Sequence, residues 1–405
     1  MASTDKDLDL VLFGATGFTG QLVAEYLAKK RPALRWALAG RSRDKLERVR
    51  DGLTAIDPAA KDLPIVVGEA LDRASVGSIA RRTRVVCTTA GPFARYGSQL
   101  VAACAEHGTS YCDITGETPW IRAMIDEHHA RAAASGARIV NCCGFDSIPS
   151  DLGVLMLHEH LAARGKRLAQ ARFRVVKMKG GASGGTVASM LDIAERAGDP
   201  GVRHALADPY ALNPDGARGG PDRRDAMAPG RDADTGHWTA PFVMAAINTR
   251  IVRRSNALTD FAYGKDLRYE EAIDTGEGAL GLAGAVGMSA AIFGFLAMAA
   301  LPPGRTLLRR FLPAPGQGPS RADREAGGFR VEIRATSTDG EKLTAVIEGS
   351  SDPGYGETAK MLGESALCLA EDELPARGGL LTPASAMGLK LTDRLRAAGM
   401  TFRVE

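Results

Sequence analysis

The stretch from Leu8 to Gly20 constrains the fold most, because it joins a strand, a glycine turn and a helix. Apolar residues run from Leu8 to Phe13, glycines follow at positions 14, 17 and 20, and apolar residues take helical spacing from Gln21. A glycine motif in this context is typical of a dinucleotide site, in which the pyrophosphate lies at the N-terminus of the helix. The spacing is GxxGxxG rather than GxGxxG, so the motif is a variant. A turn that merely joins strand to helix is the alternative.

The end of the second predicted strand favours NADPH over NADH. An NAD enzyme carries a carboxylate there for the ribose 2′-hydroxyl, whereas this chain has Arg41 with Ser42 beside it. A cation and a hydroxyl suit a 2′-phosphate, and an arginine that is only solvated is the alternative. The fourth predicted strand opens into small residues, which keep side chains out of the crevice where ligands bind. The residues predicted to bind NADPH are Gly14, Thr16, Gly17, Phe18, Thr19, Gly20, Arg41, Ser42, Ala90, Gly91 and Pro92.

Strands and helices alternate over the first 165 residues, which predicts an α/β fold with a Rossmann-type, doubly wound parallel sheet. The pattern then changes, because the later strands come without intervening α/β units. A second α+β domain with a mostly antiparallel sheet is therefore predicted. Its strands are predicted at 170–178, 242–252, 329–337 and 343–348.

We divide the chain of 405 residues into three parts on this basis. Residues 1–165 are predicted to form the NADP-binding domain and residues 166–350 an α+β substrate domain. Residues 351–405 carry amphipathic helices that we expect to pack back on both domains. Within the second part, residues 199–236 are dense in Pro, Gly, Asp and Arg with little periodicity, which predicts a long surface loop.

Charge and cysteine content exclude several functions. The net charge is +3 and no stripe of basic residues stands out, so nucleic acid is not an expected partner. Six cysteines without a CxxC pair offer neither a disulfide framework nor a zinc site, and no metal site is predicted. The chain enters its first strand almost at once and no signal peptide fits, so we expect a cytoplasmic protein.

One segment departs from a soluble pattern. Residues 278–301 contain no charged side chain, and arginines follow at 305, 309 and 310. The length meets the criterion for a transmembrane helix. A crossing would, however, separate the strands predicted at 242–252 from those at 329–348, which should share one sheet. A hydrophobic hairpin or lid is favoured instead, packed against the domain, a lipid or the inner face of the plasma membrane.

Acidic and phenolic side chains near the ends of the fifth and sixth strands are the candidate proton donors. Tyr111 and Asp113 should share one face of a strand, because strand side chains alternate. Asp146 follows the next strand. Each is a candidate catalytic residue, since reduction by a nicotinamide needs a proton source beside it. Caps and core packing are the structural alternatives.

Seven short motifs occur in order along the chain: GATGFTG, AGRS, TTAGPF, YCDITGE, CGFDSIPSDLG, SGGT and LLTPASAMG. Together they resemble the saccharopine dehydrogenase-like oxidoreductases, and most closely the branch that includes mycobacterial trans-acting enoyl reductases. The resemblance runs from Leu8 to about Gly399. It implies NADPH, a lipid or polyketide acyl substrate that a synthase carries, and a second domain that closes over the nicotinamide. No residues match the amino-acid-binding positions of the lysine-pathway enzymes, so saccharopine itself is not the expected substrate.

Three functions follow from this reading. The first is an NADPH-dependent enoyl reductase that reduces a carbon–carbon double bond in a lipid or polyketide precursor. The second is a dehydrogenase that acts on a C–N bond, and the third is a membrane-associated nucleotide-binding protein without catalysis. An apolar substrate pocket would favour the first, paired arginines the second, and loss of NADPH affinity the third.

Overall fold

The computed structural model of the chain describes residues 6–180, 184–311 and 318–405. These residues form two seven-stranded sheets with helices packed around them. The strands are β1 (Leu8–Phe13), β2 (Trp36–Gly40), β3 (Ile65–Val67), β4 (Thr83–Thr88), β5 (Ser110–Asp113), β6 (Arg138–Val140), β7 (Leu168–Lys179), β8 (Gly230–Arg231), β9 (Trp238–Pro241), β10 (Arg268–Gly276), β11 (Gly328–Ser337), β12 (Lys342–Gly349), β13 (Gly379–Leu381) and β14 (Thr401–Val404). The α-helices are α1 (Phe18–Lys30), α2 (Arg43–Leu53), α3 (Arg73–Arg82), α4 (Phe93–Tyr96), α5 (Ser98–Glu106), α6 (Thr118–Ser135), α7 (Ile148–Ala162), α8 (Gly184–Arg196), α9 (Pro200–Ala207), α10 (Ala245–Leu258), α11 (Gly278–Ala300), α12 (Pro302–Phe311), α13 (Arg321–Glu325), α14 (Thr358–Glu371) and α15 (Pro383–Ala397).

The first sheet is parallel throughout, in the order β13-β6-β5-β4-β1-β2-β3. The chain winds outward from β1 in one direction to β3 and then returns beside β1 with β4. In open α/β sheets, ligands bind outside the carboxyl ends of the strands at such a switch point. The predicted doubly wound parallel sheet is confirmed, and its crevice lies between β1 and β4.

The second sheet has the order β14-β12-β11-β7-β10-β9-β8. All its pairs are antiparallel except β7 with β10, which are parallel. The helix α7 packs on one face, where a Cβ at Gly153 would lie 2.4 Å from the side chain of Ile333. The predicted mostly antiparallel sheet is therefore confirmed.

The strand predicted at 242–252 is wrong, because this segment enters the helix α10. The spacing of the apolar residues in 242–252 resembles that of a strand. In α10, however, polar residues are buried as well, including Arg250, Arg253 and Arg254. The Arg254 guanidinium donates to the carbonyl oxygens of Leu212 and Leu380. These acceptors come from distant parts of the chain, so α10 is a polar helix enclosed by other segments.

Part of the predicted loop at 199–236 wraps around α10 and is not a free surface loop. It contains α9 and β8. Arg250 donates to the Leu206 carbonyl at 2.7 Å, and Arg253 donates to Asp222 at 2.7 Å. The buried guanidinium groups thus donate to a backbone carbonyl and to a carboxylate, because buried polar groups need partners in a protein interior.

The segment 351–405 contributes to both sheets. Its strand β13 pairs with β6 in the first sheet, and β14 pairs with β12 in the second. The helix α14 packs on α1, and α15 packs on α7. The predicted helices of this segment are present, and the strands between and after them tie the two sheets together.

The apolar segment forms one continuous helix, α11, which is followed at once by α12. The two helices contact each other, so the helical pair forms between α11 and α12 and not within residues 278–301. By length and composition α11 could cross a membrane. Its buried residues are Gly281, Ala285, Ser289 and Ala299, and Leu280 at its start is 88 % exposed. Strands that precede and follow the pair still share one sheet.

Candidate functional site

A cavity of about 810 Å³ opens at the carboxyl ends of the first sheet's strands. The segments that follow β1, β2, β3, β4, β5 and β6 each contribute to its lining. The opposite wall comes from α8 and from the turn before α14. All the residues predicted to bind NADPH line this cavity except Ser42, whose hydroxyl accepts from the Lys45 N–H at the start of α2 instead.

The glycine turn after β1 brings strand and helix into close contact. Gly14 has a φ of +87°, a conformation that side-chain-bearing residues rarely adopt. A Cβ at Gly20 would lie 2.2 Å from the Gly14 carbonyl oxygen, so only glycine fits there. A Cβ at Gly17 would meet only that same oxygen, at 3.4 Å. A side chain at the first or third glycine would therefore strain the turn, whereas a Cβ at the second makes only an ordinary van der Waals contact.

The start of α1 has the donors that a pyrophosphate needs. No described residue accepts from the N–H groups of Phe18, Thr19 or Gly20, and the N-cap Gly17 has no side chain to do so. These groups line the cavity at the positive end of the helix dipole. The arrangement fits the phosphates of a dinucleotide.

Arg41 lies at the end of β2 with its side chain exposed to the cavity mouth. No described carboxylate pairs with it, whereas Arg43 two residues later contacts Glu47. A free guanidinium at this place fits the 2′-phosphate of NADPH, since charge-assisted contacts to phosphate are among the strong hydrogen bonds.

The helix α8 is fastened across the cavity by contacts to the first sheet's loops and to the turn before α14. The Gly184 N–H donates to the Tyr355 hydroxyl at 2.9 Å, and the Ser189 hydroxyl donates to Glu117 at 2.7 Å. The Arg95 guanidinium donates to Asp192 at 2.6 Å. In the sequence, only the motif SGGT was noted at the start of this helix, and the helix was not predicted to cover the site.

Asp146 follows β6 and lines the cavity beside Gly116. Burial raises the pKa of its carboxyl to about 7, and no described residue donates a hydrogen bond to it. A carboxyl group with such a pKa is protonated about half the time near neutral pH, which suits a proton donor.

Tyr111 and Asp113 share a face of β5, as predicted, but both lie outside the cavity lining and are buried. The Tyr111 hydroxyl donates to Asp113 at 2.8 Å, and Asp113 also accepts from the Asn141 amide at 2.8 Å. Burial raises the Asp113 pKa to about 6 and the Tyr111 pKa well above its usual value. Their placement joins β5 to the segment after β6, and it offers no support for a catalytic role.

Apolar side chains complete the cavity beyond the nucleotide-binding turns, and sequence reasoning did not identify them. They are Ile114, Met190, Leu191, Ile193 and Met244. Tyr355 also lines the cavity, with its ring edge against Phe18 at 4.8 Å between centroids. A glycine-rich turn around Tyr355, just before a helix, is the sequence signal that could have indicated the part of the lining that Tyr355 forms.

Comparisons with known proteins agree with this geometry. Residues 10–140 match the model of the saccharopine dehydrogenase NADP binding domain. A Mycobacterium tuberculosis protein provisionally named a trans-acting enoyl reductase is 45 % identical, with 100 % of this chain and 99 % of that protein covered. A trans-acting enoyl reductase of Mycobacterium ulcerans is 42 % identical, with 99 % and 98 % covered. The apo saccharopine dehydrogenase of Saccharomyces cerevisiae shares the fold, with a TM-score of 0.52, 13 % identity, and 98 % and 99 % covered.

Proposed function

The chain belongs to the saccharopine dehydrogenase-like oxidoreductases, in the branch of the trans-acting enoyl reductases, and on that premise we propose that it reduces an enoyl group in a lipid or polyketide precursor. It is an NADPH-dependent oxidoreductase. The observation that carries the proposal is the partnerless Asp146 carboxyl in a cavity with an apolar wall. The arginines of that lining are Arg41 at the mouth and Arg95, which Asp192 neutralises, so the described site does not favour an amino-acid substrate.

We assign the cofactor by the placement of the lining residues. The N-terminus of α1 would hold the pyrophosphate, Arg41 the 2′-phosphate, and the segment Ala90-Gly91-Pro92 would border the nicotinamide half. When bound, NADPH supplies a hydride to the carbon β to the acyl carbonyl. The apolar wall excludes water, and α8 holds the acyl group against the crevice.

Asp146 would complete the reduction by donating its proton to the carbon α to the carbonyl. The enoyl group thus gains one hydride and one proton and becomes saturated, while NADPH is oxidised to NADP⁺. A positioned acid of this kind contributes roughly 10²–10⁴-fold to a rate. Solvent would return the proton to Asp146 after each turnover.

The test is the reduction of a trans-2-enoyl pantetheine thioester, followed by the loss of NADPH absorbance. We expect Asp146→Asn to lower kcat by roughly 10²-fold or more while the NADPH affinity is unchanged. In the wild type kcat should fall as pH rises above about 7, because the donor must be protonated. If Tyr111→Phe abolishes turnover and Asp146→Asn does not, the donor is the β5 pair and our assignment is wrong. If the wild type reduces no enoyl thioester, the proposed reaction is wrong.

We further propose that the acyl substrate stays attached to a separate synthase, as the name trans-acting of the relatives suggests. The measurement is kcat/KM for one enoyl group carried either on a synthase carrier domain or on free pantetheine. A higher value with the carrier supports the proposal, whereas equal values contradict it.

The exposed apolar surface of α11 is proposed to lie on an anionic membrane surface. Large apolar side chains on α11 face outward, and Leu280 and Phe293 are 88 % and 52 % exposed. A helix without charge that is so little buried needs a cover as apolar as itself, which lipid supplies. Arg310, exposed on α12, suits anionic headgroups. Arg305 instead donates to the Ala299 carbonyl at the end of α11, and the side chain of Arg309 lies outside the described residues.

Flotation with anionic liposomes tests this contact. The wild type should float at low salt and less at high salt, because each basic residue near the surface contributes about 1 kcal/mol. A double variant, Leu280→Ser with Phe293→Ser, should stay in solution, whereas the control Leu389→Ser, on the exposed side of α15, should float normally. Absence of flotation in the wild type contradicts the contact. Binding that resists high salt, with only one flank open to protease, would show a spanning helix instead.

A further inference from the structure

We infer that the acyl chain of the substrate runs through the cavity toward the contact between α8 and the α11–α12 pair, and that Leu191, at that contact, sets the length of chain that fits. The inference rests on the proposed function, since it concerns the same acyl substrate. It adds a specificity-determining residue and a direction for the chain.

Leu191 is the contact between the cavity and the apolar helices. Its side chain lines the cavity, and it is 5 % exposed. It also belongs to a buried cluster with Ala299 of α11 and Leu308 of α12. Among the described residues, no other side chain is shared by the cavity lining and this cluster. One leucine therefore separates the cavity from the α11–α12 pair.

The surroundings beyond Leu191 are apolar as well. Phe295 and Met298 of α11 are partly buried against the same cluster, and Ala194 of α8 lies beside them. Further out, Leu296 and Leu307 are 43 % and 45 % exposed. A path from the cavity past Leu191 would thus stay in contact with apolar side chains until it reaches the outer surface of the pair.

Ion pairs on α8 hold the wall in place beside this path. Asp192 is bonded to Arg95, and Glu195 lies 3.2 Å from Arg95 and 3.9 Å from Arg305. These pairs fasten α8 to α4 on one side and to α12 on the other. The charged groups are thus neutralised, and an uncharged chain is the substrate group that such a passage admits.

The expected effect follows from the burial of methylene groups. Each methylene that enters an apolar site raises the affinity roughly fourfold. Affinity should therefore rise with chain length until the chain meets Leu191 and then level off. Leu191→Ala should move the levelling point to longer chains, and Leu191→Trp should move it to shorter ones.

The experiment is calorimetric titration of saturated acyl pantetheine thioesters of increasing length into the full-length protein saturated with NADP⁺, below the micelle concentration. Leu389→Ala and Leu389→Trp serve as matched controls, because Leu389 is an exposed leucine of α15 outside the cavity. We expect opposite shifts of the levelling point in the two Leu191 variants and none in the controls, with unfolding temperatures measured to confirm folding.

An identical levelling point in the wild type and both Leu191 variants overturns the inference, even where the enzyme reduces enoyl thioesters. Shifted levelling points without any turnover would leave the inference standing and overturn the proposed reaction. If no thioester of any length binds to the wild type, both fall.

Discussion

Charged side chains without a described partner lie at opposite ends of the cavity. Arg41 and Glu69 are at the mouth, after β2 and β3, and Asp146 lies after β6. Arg95 and Asp192, between them, neutralise each other. Unpaired charge is costly away from water. Arg41 can therefore stay charged at the exposed mouth, whereas burial favours the uncharged, protonated form of the Asp146 carboxyl.

Replacement of Arg41 tests the cofactor preference. Arg41→Ala should weaken NADPH by roughly 10- to 100-fold, because a charge-assisted hydrogen bond contributes about 1.5–3 kcal/mol. NADH affinity should be unchanged. Fluorescence titration of both cofactors measures this, with Arg43→Ala as control, since Arg43 contacts Glu47 on the solvent side of α2. Equal NADPH and NADH affinities in the wild type would rule out the phosphate contact.

Substitutions of the second and third glycines of the turn should affect different properties, NADPH binding and stability respectively. Gly20→Ala places a Cβ 2.2 Å from a backbone oxygen, so it should destabilise folding by about 1–3 kcal/mol. Gly17→Val has room for its Cβ but extends toward the phosphate position, so it should fold and lose NADPH binding. Thermal unfolding and cofactor titration of both variants separate these effects. A Gly17→Val protein that binds NADPH normally would place the phosphates elsewhere.

At the level of elements, α8 determines whether the cavity is covered. It has one described bond to the turn before α14, through Tyr355, and bonds to the first sheet's loops through Glu117 and Arg95. Asp192 is 5 % exposed, so its carboxylate depends on Arg95 for compensation.

Loss of the Arg95–Asp192 pair should loosen this cover. Arg95→Ala is expected to cost on the order of 1–2 kcal/mol, because Arg95 is half-exposed, and to raise the NADPH KM roughly 5- to 30-fold. Asp192→Asn should give the same change. Arg196→Ala is the control, since Arg196 lies 3.8 Å from Asp192 and faces solvent. If only Arg95→Ala raises KM, Arg95 contacts the cofactor directly and is not a fastening of α8.

The sequence predicts strands β1 to β6 of the first sheet well, because each strand and its helix are neighbours along the chain, whereas β13 joins from residues 379–381 and was not predicted. The helix α10 could not be predicted in the same way. Its buried arginines donate to carbonyl groups around residues 206–212 and 380 and to the carboxylates of Asp222 and Asp225, and no local pattern reveals those partners. The apolar spacing of 242–252 therefore indicated a strand.

The candidate site also has a half that the sequence predicts and a half that it does not. The nucleotide half comes from contiguous motifs, so Gly14 to Gly20 and Arg41 were predicted. The substrate half is assembled by tertiary packing, which brings Leu191, Met244 and Tyr355 to one wall. Tyr111 and Asp113 were predicted correctly to share a face of β5, but not to lie outside the cavity lining. Which face of β5 borders the cavity depends on the helices packed against it.

For the whole molecule, Glu271 joins the second sheet to the cavity region. It accepts from the Tyr269 hydroxyl at 2.7 Å and from the Asn248 amide at 2.9 Å. Asn248 in turn accepts from the Ser147 hydroxyl at 3.0 Å, next to Asp146. Burial raises the pKa of Glu271 to about 7, so the folded protein favours its protonated form.

Stability should consequently decline with rising pH. A carboxyl whose pKa is raised by folding stabilises the folded state fully at a pH below its pKa in the unfolded state. That stabilisation is lost as the pH rises through the folded-state pKa of about 7. The loss is on the order of 3 kcal/mol for Glu271, whose pKa rises from 4.5 to about 7. Unfolding temperatures between about pH 5 and pH 8 measure it. Glu271→Gln should make the decline less steep but not remove it, because burial also raises the pKa of Asp146 and Asp151 to about 7. The control Glu69→Gln, at an exposed residue, should leave the decline unchanged. A wild type more stable at the higher pH contradicts the prediction.

The two late strands have a consequence for how the protein is made. A ribosome releases the chain from its N-terminus, yet β13 and β14 complete the edges of the first and second sheets only after residue 378 has been synthesised. Until then β6 and β12 present open edges, and open edges pair readily with other chains. Until β14 has been synthesised, the nascent protein should therefore need chaperones to cover these open edges, and a premature stop before Gly379 should yield aggregates and not a smaller working enzyme.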